Sequence, residues 1–446
     1  MIPLISAARQ AMLMVLVMLA GLAFAPQAQA QMPQLDPQAG QYVIPPQPSA
    51  DAEATRLDRT AWSDLVPLGR MAQAGDRLVV DLDVLPQGHN ATLVIGFDQL
   101  WSSSPGKQEA VIDGKAAQTV IAEVDGPVYL RHIGAGDIPL RLTLTGGDVL
   151  PMYVDGAMSR SDWRAVLATH PDAPFVQLLG ARAIITLPAS VYATDPVRDP
   201  AASFAAIDRM LGWQDDLSGL DGRSARDMPS PNRVHYLVDF TATAAERDQF
   251  YMYATAYFVG MLPDNTADLT DPDRLAQEWA IWHETGHLHQ QNSWTWGALT
   301  EVNVNLYSLY VQEKLGLPSR LDDPETDVTS TRARAQAYLN GPVSDYLADT
   351  DDPDVFIKLV MLDQLRATYG WDLFRQLNRA IRAAPLDADA SDEAKAQHFI
   401  VQICTLTGRD LRGFFNRWGL LADTVTNRAV AAMRLPAPAI DPASLF

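Results

Sequence analysis

Cysteine is almost absent from this chain. Its 446 residues include one cysteine, Cys404, so no disulfide can form within the chain. Cys404 ends an apolar stretch, residues 399–404, and is predicted to be a small buried hydrophobic residue.

Positive charge is scarce as well. Lysine and arginine total 34, against 54 aspartate and glutamate residues, which gives a formal net charge of −20. Proteins that bind nucleic acid need a basic surface to neutralise phosphates. The composition therefore argues against a nucleic-acid partner, and it favours solubility without identifying any other partner.

Long hydrophobic runs are missing except at the start of the chain, over residues 11–25. Arg9 precedes this run, and Ala28-Gln29-Ala30 follows it as a small-x-small cleavage site. The alternative is a membrane anchor, but the run is short for a membrane span. We therefore predict a signal peptide over residues 1–30 and no stable membrane anchor after its cleavage. With no cysteine at the cleavage site and no disulfides, a secreted or periplasmic protein of a bacterial envelope is expected.

The hydrophobic pattern divides the rest of the chain into four segments and predicts an α+β fold. Residues 31–55 are rich in proline, glutamine and alanine and are predicted to be a flexible linker. Residues 56–155 show short runs of period two separated by glycine-rich turns, which favour a β-sandwich, with a barrel as the alternative. Mixed strands and helices follow over residues 156–318, and residues 319–446 are mostly helical.

The sequence HETGH, residues 283–287, is an HExxH motif. Residues i and i+4 of a helix lie on the same face, so His283 and His287 can bind one zinc ion. Glu284 is placed to take a proton from a water molecule at that ion. Asp271-Pro272 is a helix start signal, and Gly286 indicates close packing against the helix.

A catalytic zinc site needs a third protein ligand, and Glu301 is the candidate. It lies near the start of a second predicted helix, residues 298–315, on a polar stripe that faces away from an apolar one. The sequence thus predicts a His-His-Glu zinc site with Glu284 as the catalytic base. A bare HExxH motif is a weak signal, and the alternative is an ordinary helix surface.

The segment resembles the enhancin-like, mucin-targeting gluzincin metallopeptidases, peptidase family M sixty. Their signature has HExGH followed by a glutamine and, later, by Glu-Val-x-x-Asn-x-x-Ser-Leu. Here it reads as residues 283–287, Gln290 and residues 301–309. Softer likenesses extend from about residue 67 to 420. The resemblance implies an N-terminal β-sandwich, a gluzincin-type zinc peptidase domain with a helical C-terminal half, and O-glycosylated, mucin-like substrates.

Other residues near the motif have open roles. Asn305, one turn after Glu301, can accept the second N–H of a zinc-bound histidine, or it can be a polar surface residue. Trp294 and Trp296 lie between the two helices, where they either stack on sugars or pack in the core. An oxyanion donor cannot be chosen among five candidates, which are Tyr307, Tyr310, His289, Tyr369 and His398.

Two other functions compete with a secreted mucin-cleaving zinc endopeptidase. One is a glycan-binding surface protein whose peptidase domain is vestigial, although four intact site residues argue against it. The other is a zinc peptidase that acts on non-glycosylated peptides or peptidoglycan crosslinks. Only the family resemblance separates this last function from the first.

Overall fold

The protein is described here from a computed structural model. The structure describes residues 31–98, 106–194, 198–240, 242–247, 250–323, 329–342, 344–348 and 353–446. The predicted signal peptide, residues 1–30, lies outside the described residues. Among the residues that are described, no helix is both long enough and apolar enough to cross a lipid bilayer.

Strands dominate the first half of the described chain. They are β1 (Gln34–Asp36), β2 (Gln41–Ile44), β3 (Val66–Ala72), β4 (Arg77–Leu82), β5 (Asn90–Gly96), β6 (Lys107–Ile112), β7 (Gln118–Ile121), β8 (Gly126–Ile133), β9 (Leu140–Thr145), β10 (Asp148–Val149), β11 (Met152–Val154), β12 (Phe175–Leu179), β13 (Ala183–Pro188), β14 (Val234–Val238), β15 (Met252–Ala254) and β16 (Val259–Met261).

Helices dominate the second half. They are α1 (Ala50–Leu57), α2 (Arg160–Thr169), α3 (Ser190–Thr194), α4 (Pro200–Leu217), α5 (Ala244–Arg247), α6 (Thr266–Thr270), α7 (Pro272–Leu275), α8 (Trp279–His287), α9 (Thr300–Lys314), α10 (Thr331–Leu339), α11 (Val355–Tyr369), α12 (Trp371–Ala383), α13 (Asp392–Thr407), α14 (Arg412–Arg417) and α15 (Thr424–Ala432). The sequence did not predict α15.

The N-terminal part is a sandwich of two five-stranded sheets, as predicted, and not a barrel. Their orders are β1-β2-β9-β4-β7 and β10-β3-β8-β5-β6. Alternate residues of the strands point inward and form one apolar core, which includes Leu78, Val80, Leu93 and Leu142. This alternation is the period-two pattern of the sequence.

The predicted flexible linker, residues 31–55, is wrong. This segment supplies β1 and β2, and β2 pairs antiparallel with β9. Tyr42 and Ile44 are 2% and 0% exposed in the sandwich core, and Ser49 caps α1 through the amide of Ala52. Proline, glutamine and alanine dominate the composition of the segment, so the composition predicts flexibility. The burial of the few apolar residues offsets the entropy cost of ordering the segment.

A third, six-stranded mixed sheet follows, with the order β11-β12-β13-β14-β16-β15. Its first strand, β11, lies inside the range assigned to the sandwich (residues 56–155) but pairs parallel with β12. One face of the sheet packs on α4 and α8 around Tyr236, Phe204 and Trp282. The other face meets the sandwich, where the Gln177 side chain accepts a hydrogen bond from the Gly69 amide at 2.8 Å. This is one of several contacts between the sandwich and the sheet. Strand β15 lies at the edge of the sheet.

The single helix predicted to run from Asp271 through the HExxH motif is two helices. Asp271 caps the short α7, and α8 starts afresh after Glu278, whose carboxylate accepts a hydrogen bond from the Ala280 amide at 3.1 Å. The Glu278 side chain thus serves as the N-cap, and the motif helix has its own start.

The helix α9 is not amphipathic, contrary to the prediction. Every residue from Val302 to Val311 is buried, because α8 covers one side and the C-terminal helices cover the other. The C-terminal helices enclose a separate helical core. It is formed by side chains of α9, α11, α12, α13 and α14, and it includes the buried Cys404. Burial raises the pKa of the Cys404 thiol to about 11, so it is a structural residue, as the sequence predicted.

Candidate active site

Helices α8 and α9 lie in close contact at Gly286. A Cβ atom at this position would lie 3.0 Å from Val304 Cγ2 and 3.2 Å from Tyr307 Cβ, so the site has little room for a side chain. On the other side of α8, Thr285 Oγ1 and Tyr236 of β14 share a hydrogen bond of 2.9 Å. The motif helix is therefore held between the sheet and α9, with its histidines facing Glu301.

Three side-chain atoms of the predicted metal ligands converge at this contact. The two Nε2 atoms of His283 and His287 are 3.1 Å apart, and Glu301 Oε2 lies 3.0 Å from the first and 3.4 Å from the second. Tetrahedral zinc with bonds of about 2.0–2.1 Å separates its ligand atoms by about 3.3 Å. The donor set and its spacing therefore fit one tetrahedral zinc ion, and no other group of three such residues in the described ranges has this convergence.

The electrostatics of the three residues favour a bound cation. Hydrogen bonds to His283 and His287 hold the pKa of the Glu301 carboxyl well below its usual range. Burial lowers the pKa of His287, but its hydrogen bond with Glu301 and the charge of that residue outweigh burial and raise the pKa overall. An ionised carboxylate that attracts positive charge to two imidazole nitrogens also attracts a metal ion.

Each histidine has an acceptor that fixes its ring. His283 donates its Nδ1–H to Asn305 Oδ1 at 2.8 Å, and Asn305 in turn donates to the Glu301 carbonyl at 2.8 Å. His287 donates its Nδ1–H to Gln290 Oε1 at 2.7 Å. These contacts leave both Nε2 atoms free to face a metal ion.

Gln290 belongs to the sequence motif, and the structure gives it a role that the motif alone does not predict. Its amide nitrogen donates to the Thr300 carbonyl at 2.6 Å and to the side chain of Asn303. Gln290 follows the end of α8, so helical spacing does not place it. The available signal was its position three residues after His287 in the HExGH-x-x-Gln pattern.

Glu284 lies in the cleft beside the three residues. The cleft has a volume of about 510 Å³ and is also lined by His287, Glu301 and the edge strand from Met252 to Ala254. Burial raises the pKa of the Glu284 carboxyl, and the two histidines oppose this shift. A raised pKa makes the carboxylate a better proton acceptor near neutral pH.

The structure excludes a sugar-stacking role for Trp294 and Trp296. The two rings are 1% and 0% exposed and pack in the helical core. Trp294 stacks on Phe399 with ring centroids 5.7 Å apart, and Trp296 meets Tyr346 edge-on at 6.3 Å. The loop between the helices turns into the protein, a direction that sequence spacing does not reveal.

Replacing Trp294 by alanine is expected to lower the free energy of unfolding by about 3–5 kcal/mol, because it leaves a cavity in a closed core. Thermal or urea unfolding measures this loss, and metal content at 20 °C should stay unchanged. Trp371→Ala is the comparison, since Trp371 is only partly buried and its truncation should cost less. Unchanged stability with weakened glycopeptide cleavage would restore the stacking role.

None of the five oxyanion candidates is among the described residues that line the cleft. Tyr307 donates to the His289 carbonyl at 2.9 Å, and the His289 ring bonds the Thr285 carbonyl at 3.0 Å. Tyr310 binds the carboxylate of Asp216. Tyr369 and His398 are on α11 and α13, where Tyr369 packs against the helical core. Tyr307, His289, Tyr310 and Tyr369 are therefore packing or network residues in this structure, and none of the five is placed to be an oxyanion donor.

Comparison with known proteins adds relatives of two kinds. TRPM8 channel-associated factor 3 of Mus musculus is 22% identical over 301 residues, which are 66% of this chain and 30% of that protein. Accessory colonization factor AcfD of Vibrio cholerae is 26% identical over 212 residues, which are 45% of this chain and 13% of that protein. The chain thus spans less than a third of the length of these relatives.

Solved structures share the fold over most of the chain. A conserved protein of unknown function from Bacillus anthracis has a TM-score of 0.79 with 25% identity, over 92% of this chain and 80% of that one. ZmpB metallopeptidase from Clostridium perfringens has a TM-score of 0.74 with 16% identity, over 91% and 82%. A metallopeptidase in complex with Tn antigen has a TM-score of 0.74 with 17% identity, over 92% and 80%.

The family described as Peptidase M60, enhancin and enhancin-like, matches this chain over residues 146–419. The match contains the whole six-stranded sheet, the HExxH helix and most of the helical half, and it exceeds half of the chain. The protein therefore belongs to the enhancin and enhancin-like peptidase family.

Proposed function

We propose that this protein is a zinc endopeptidase of the gluzincin type that cleaves O-glycosylated, mucin-like proteins. The observation that carries the proposal is the convergence of His283, His287 and Glu301 within one cleft that also holds Glu284. Such a set serves metal-assisted hydrolysis of an amide bond.

In this proposal His283, His287 and Glu301 hold the metal, while Asn305 and Gln290 keep the two imidazole rings oriented. A bound zinc ion supplies Lewis acidity, which polarises a carbonyl and makes water easier to deprotonate. Glu284 acts as the general base: it accepts a proton from the attacking water and passes it to the leaving amine.

The edge strand β15 is proposed to position the peptide. Its residues Met252, Tyr253 and Ala254 line the cleft, and β16 occupies the other side of the strand. Since β15 is the last strand of the sheet, an extended substrate can add at this edge through main-chain hydrogen bonds. The edge strand, which the sequence did not locate, thereby aligns the scissile bond with the site.

The substrate class is proposed from the lining of the cleft and from the fold relatives. Hydroxyl and amide side chains suit hydrogen bonds with sugars, and the cleft carries several, namely Thr60, Thr255, Gln290, Asn292, Thr295 and Thr300. Structures of the same fold were solved with Tn antigen and, for the catalytic domain of Clostridium perfringens ZmpC, with sialyl T antigen. Those ligands belong to those proteins, and a glycosylated substrate is our extension to this one.

Export to the bacterial envelope is part of the same proposal. It rests on the signal-like residues 1–30 and on relatives such as the accessory colonization factor AcfD of Vibrio cholerae. Glycoproteins outside the cell would then be the accessible substrates.

A matched pair of peptides tests this function. With zinc present, the peptide that carries one O-linked N-acetylgalactosamine is expected to be cleaved beside the sugar, and the bare peptide much more slowly. Mass spectrometry of the products gives the bond, and initial rates give kcat/KM. Equal cleavage of both peptides would favour the plain-peptidase alternative, whereas no cleavage with intact glycan binding would favour the glycan-binding one.

A further inference from the structure

A second cavity, separate from the catalytic cleft, lies where the sandwich meets the six-stranded sheet. Its volume is about 360 Å³. Its wall comes from the segment before β3, the β5–β6 end of the sandwich, strand β14 and the turn between β15 and β16. The lining includes Leu65, Phe97, Lys107, Leu237, Tyr257 and Phe258.

The interior of this cavity is apolar and nearly uncharged. Leu65, Phe97, Leu237 and Phe258 supply most of the wall. The ring of His235 is buried, which lowers its pKa to about 3, and its Nε2 shares a hydrogen bond of 3.0 Å with the Thr186 hydroxyl. This histidine is therefore neutral.

Among the described lining residues, the charged pair lies at the edge of the cavity. Lys107 and Asp98 pair there at 2.9 Å, and their side chains are 34% and 56% exposed. The cavity thus suits an apolar group that enters from a polar surface.

The cavity and the catalytic cleft share a wall. Thr255 and Ala256 line both, at the turn where the Thr255 amide donates to the Phe258 carbonyl at 3.0 Å. In this turn Tyr257 has φ of 79°, a left-handed conformation that a non-glycine residue rarely adopts.

Two contacts with the N-terminal part hold Tyr257 in place. Its amide donates to the Ala61 carbonyl at 2.8 Å, and its hydroxyl donates to Asp51 of α1 at 2.9 Å. The partition between the two cavities is therefore fixed, and its strain is of the kind found at functional sites.

Strand addition at β15 would place substrate side chains on both faces of the sheet. Tyr236 of β14 faces α8, while its neighbour His235 faces Tyr129 of the sandwich, with ring centroids 5.5 Å apart. The catalytic residues of α8 and the second cavity thus lie on opposite faces of the sheet. A peptide added to the edge at β15 must point successive side chains to these two faces in turn.

We propose that this cavity is a specificity subsite that binds one apolar side chain of an extended peptide substrate paired with β15. The inference rests on the proposed peptidase function. It adds selection of an apolar residue at one position of the substrate peptide to the proposed selection of a glycan. The sandwich then takes part in substrate selection, because Leu65 and Phe97 belong to it.

A peptide series with a fixed glycosylated cleavage site tests the subsite. Each position is varied in turn through glycine, leucine, phenylalanine and tryptophan, and kcat/KM is measured. The wild-type protein should prefer leucine or phenylalanine over glycine at one position by about 10-fold or more. Leu65→Phe should abolish that preference by filling the cavity, so that the leucine, phenylalanine and glycine peptides are cleaved with similar kcat/KM.

Two further variants serve as a control and as a test of cavity size. Leu421→Phe makes the same exchange at a residue that is 63% exposed and outside both cavities, and it should retain the preference. Phe97→Ala enlarges the cavity and should shift the preference toward tryptophan.

Binding separates this inference from the peptidase function. Fluorescence anisotropy with Glu284→Gln protein measures Kd for the same peptides without turnover. A preference in Kd that Leu65→Phe removes supports the subsite even if the wild type cleaves nothing, an outcome that would count against the peptidase function alone. The inference is overturned if no position prefers apolar residues or if Leu65→Phe keeps the preference. It is also overturned if the peptides bind more tightly with a glycosylated residue than with an apolar one at the preferred position.

Discussion

Glu284→Gln is expected to keep the fold and the metal while losing nearly all turnover. Glutamine matches glutamate in size, and the residue lines the cleft beside His287 and Glu301, so the substitution removes a proton acceptor and little else. General-base catalysis alone contributes about 10²–10⁴ in rate. The same carboxylate also delivers the proton to the leaving amine, so the loss in kcat should reach at least this range.

The measurement is kcat on the glycosylated peptide, with zinc content and thermal unfolding determined on the same preparation. Glu123→Gln is the matched control: Glu123 is exposed on the sandwich, and its variant should retain wild-type activity. Activity near that of the wild type in Glu284→Gln protein would contradict the assignment of the base.

Glu301→Ala is expected to lose the metal while the protein stays folded. The wild type should bind one zinc ion per chain, and this substitution removes one of its three protein ligands. The Glu301 side chain is 56% exposed, so its truncation leaves no core cavity. Stoichiometric zinc should be absent after dialysis, as measured by elemental analysis, and peptidase activity should be lost with it.

Substitutions at Asn305 are expected to weaken zinc binding by a smaller amount than Glu301→Ala does. Asn305→Ala removes the acceptor of the His283 Nδ1–H and is expected to weaken zinc binding by about 10–100-fold. Asn305→Asp keeps an acceptor oxygen there and should bind zinc close to the wild type. If Glu301→Ala protein held zinc as tightly as the wild type does, Glu301 would not be a ligand.

The wrong prediction of a linker and the role left open for Trp294 and Trp296 share one physical origin. Trp294 and Trp296 lie in a short loop beside the motif, and residues 31–55 have the composition of a linker. In both cases the composition of the segment indicates its polarity or flexibility, but its burial depends on parts of the chain far away in sequence. Phe399 covers Trp294, and β9 pairs with β2. Composition carries no record of those partners.

The chain by itself determined the features that depend on local spacing. The i, i+4 period of a helix brings His283 and His287 to one face, and period-two alternation gives the sandwich strands. Contacts between elements far apart in the chain were decided only by the tertiary structure. The approach of α9 to Gly286 sets the distance from Glu301 to the histidines, and the sheet order leaves β15 at the edge. The contact of the sandwich with the β15–β16 turn creates the second cavity, because such contacts depend on the packing of whole surfaces and not on the period of any one segment.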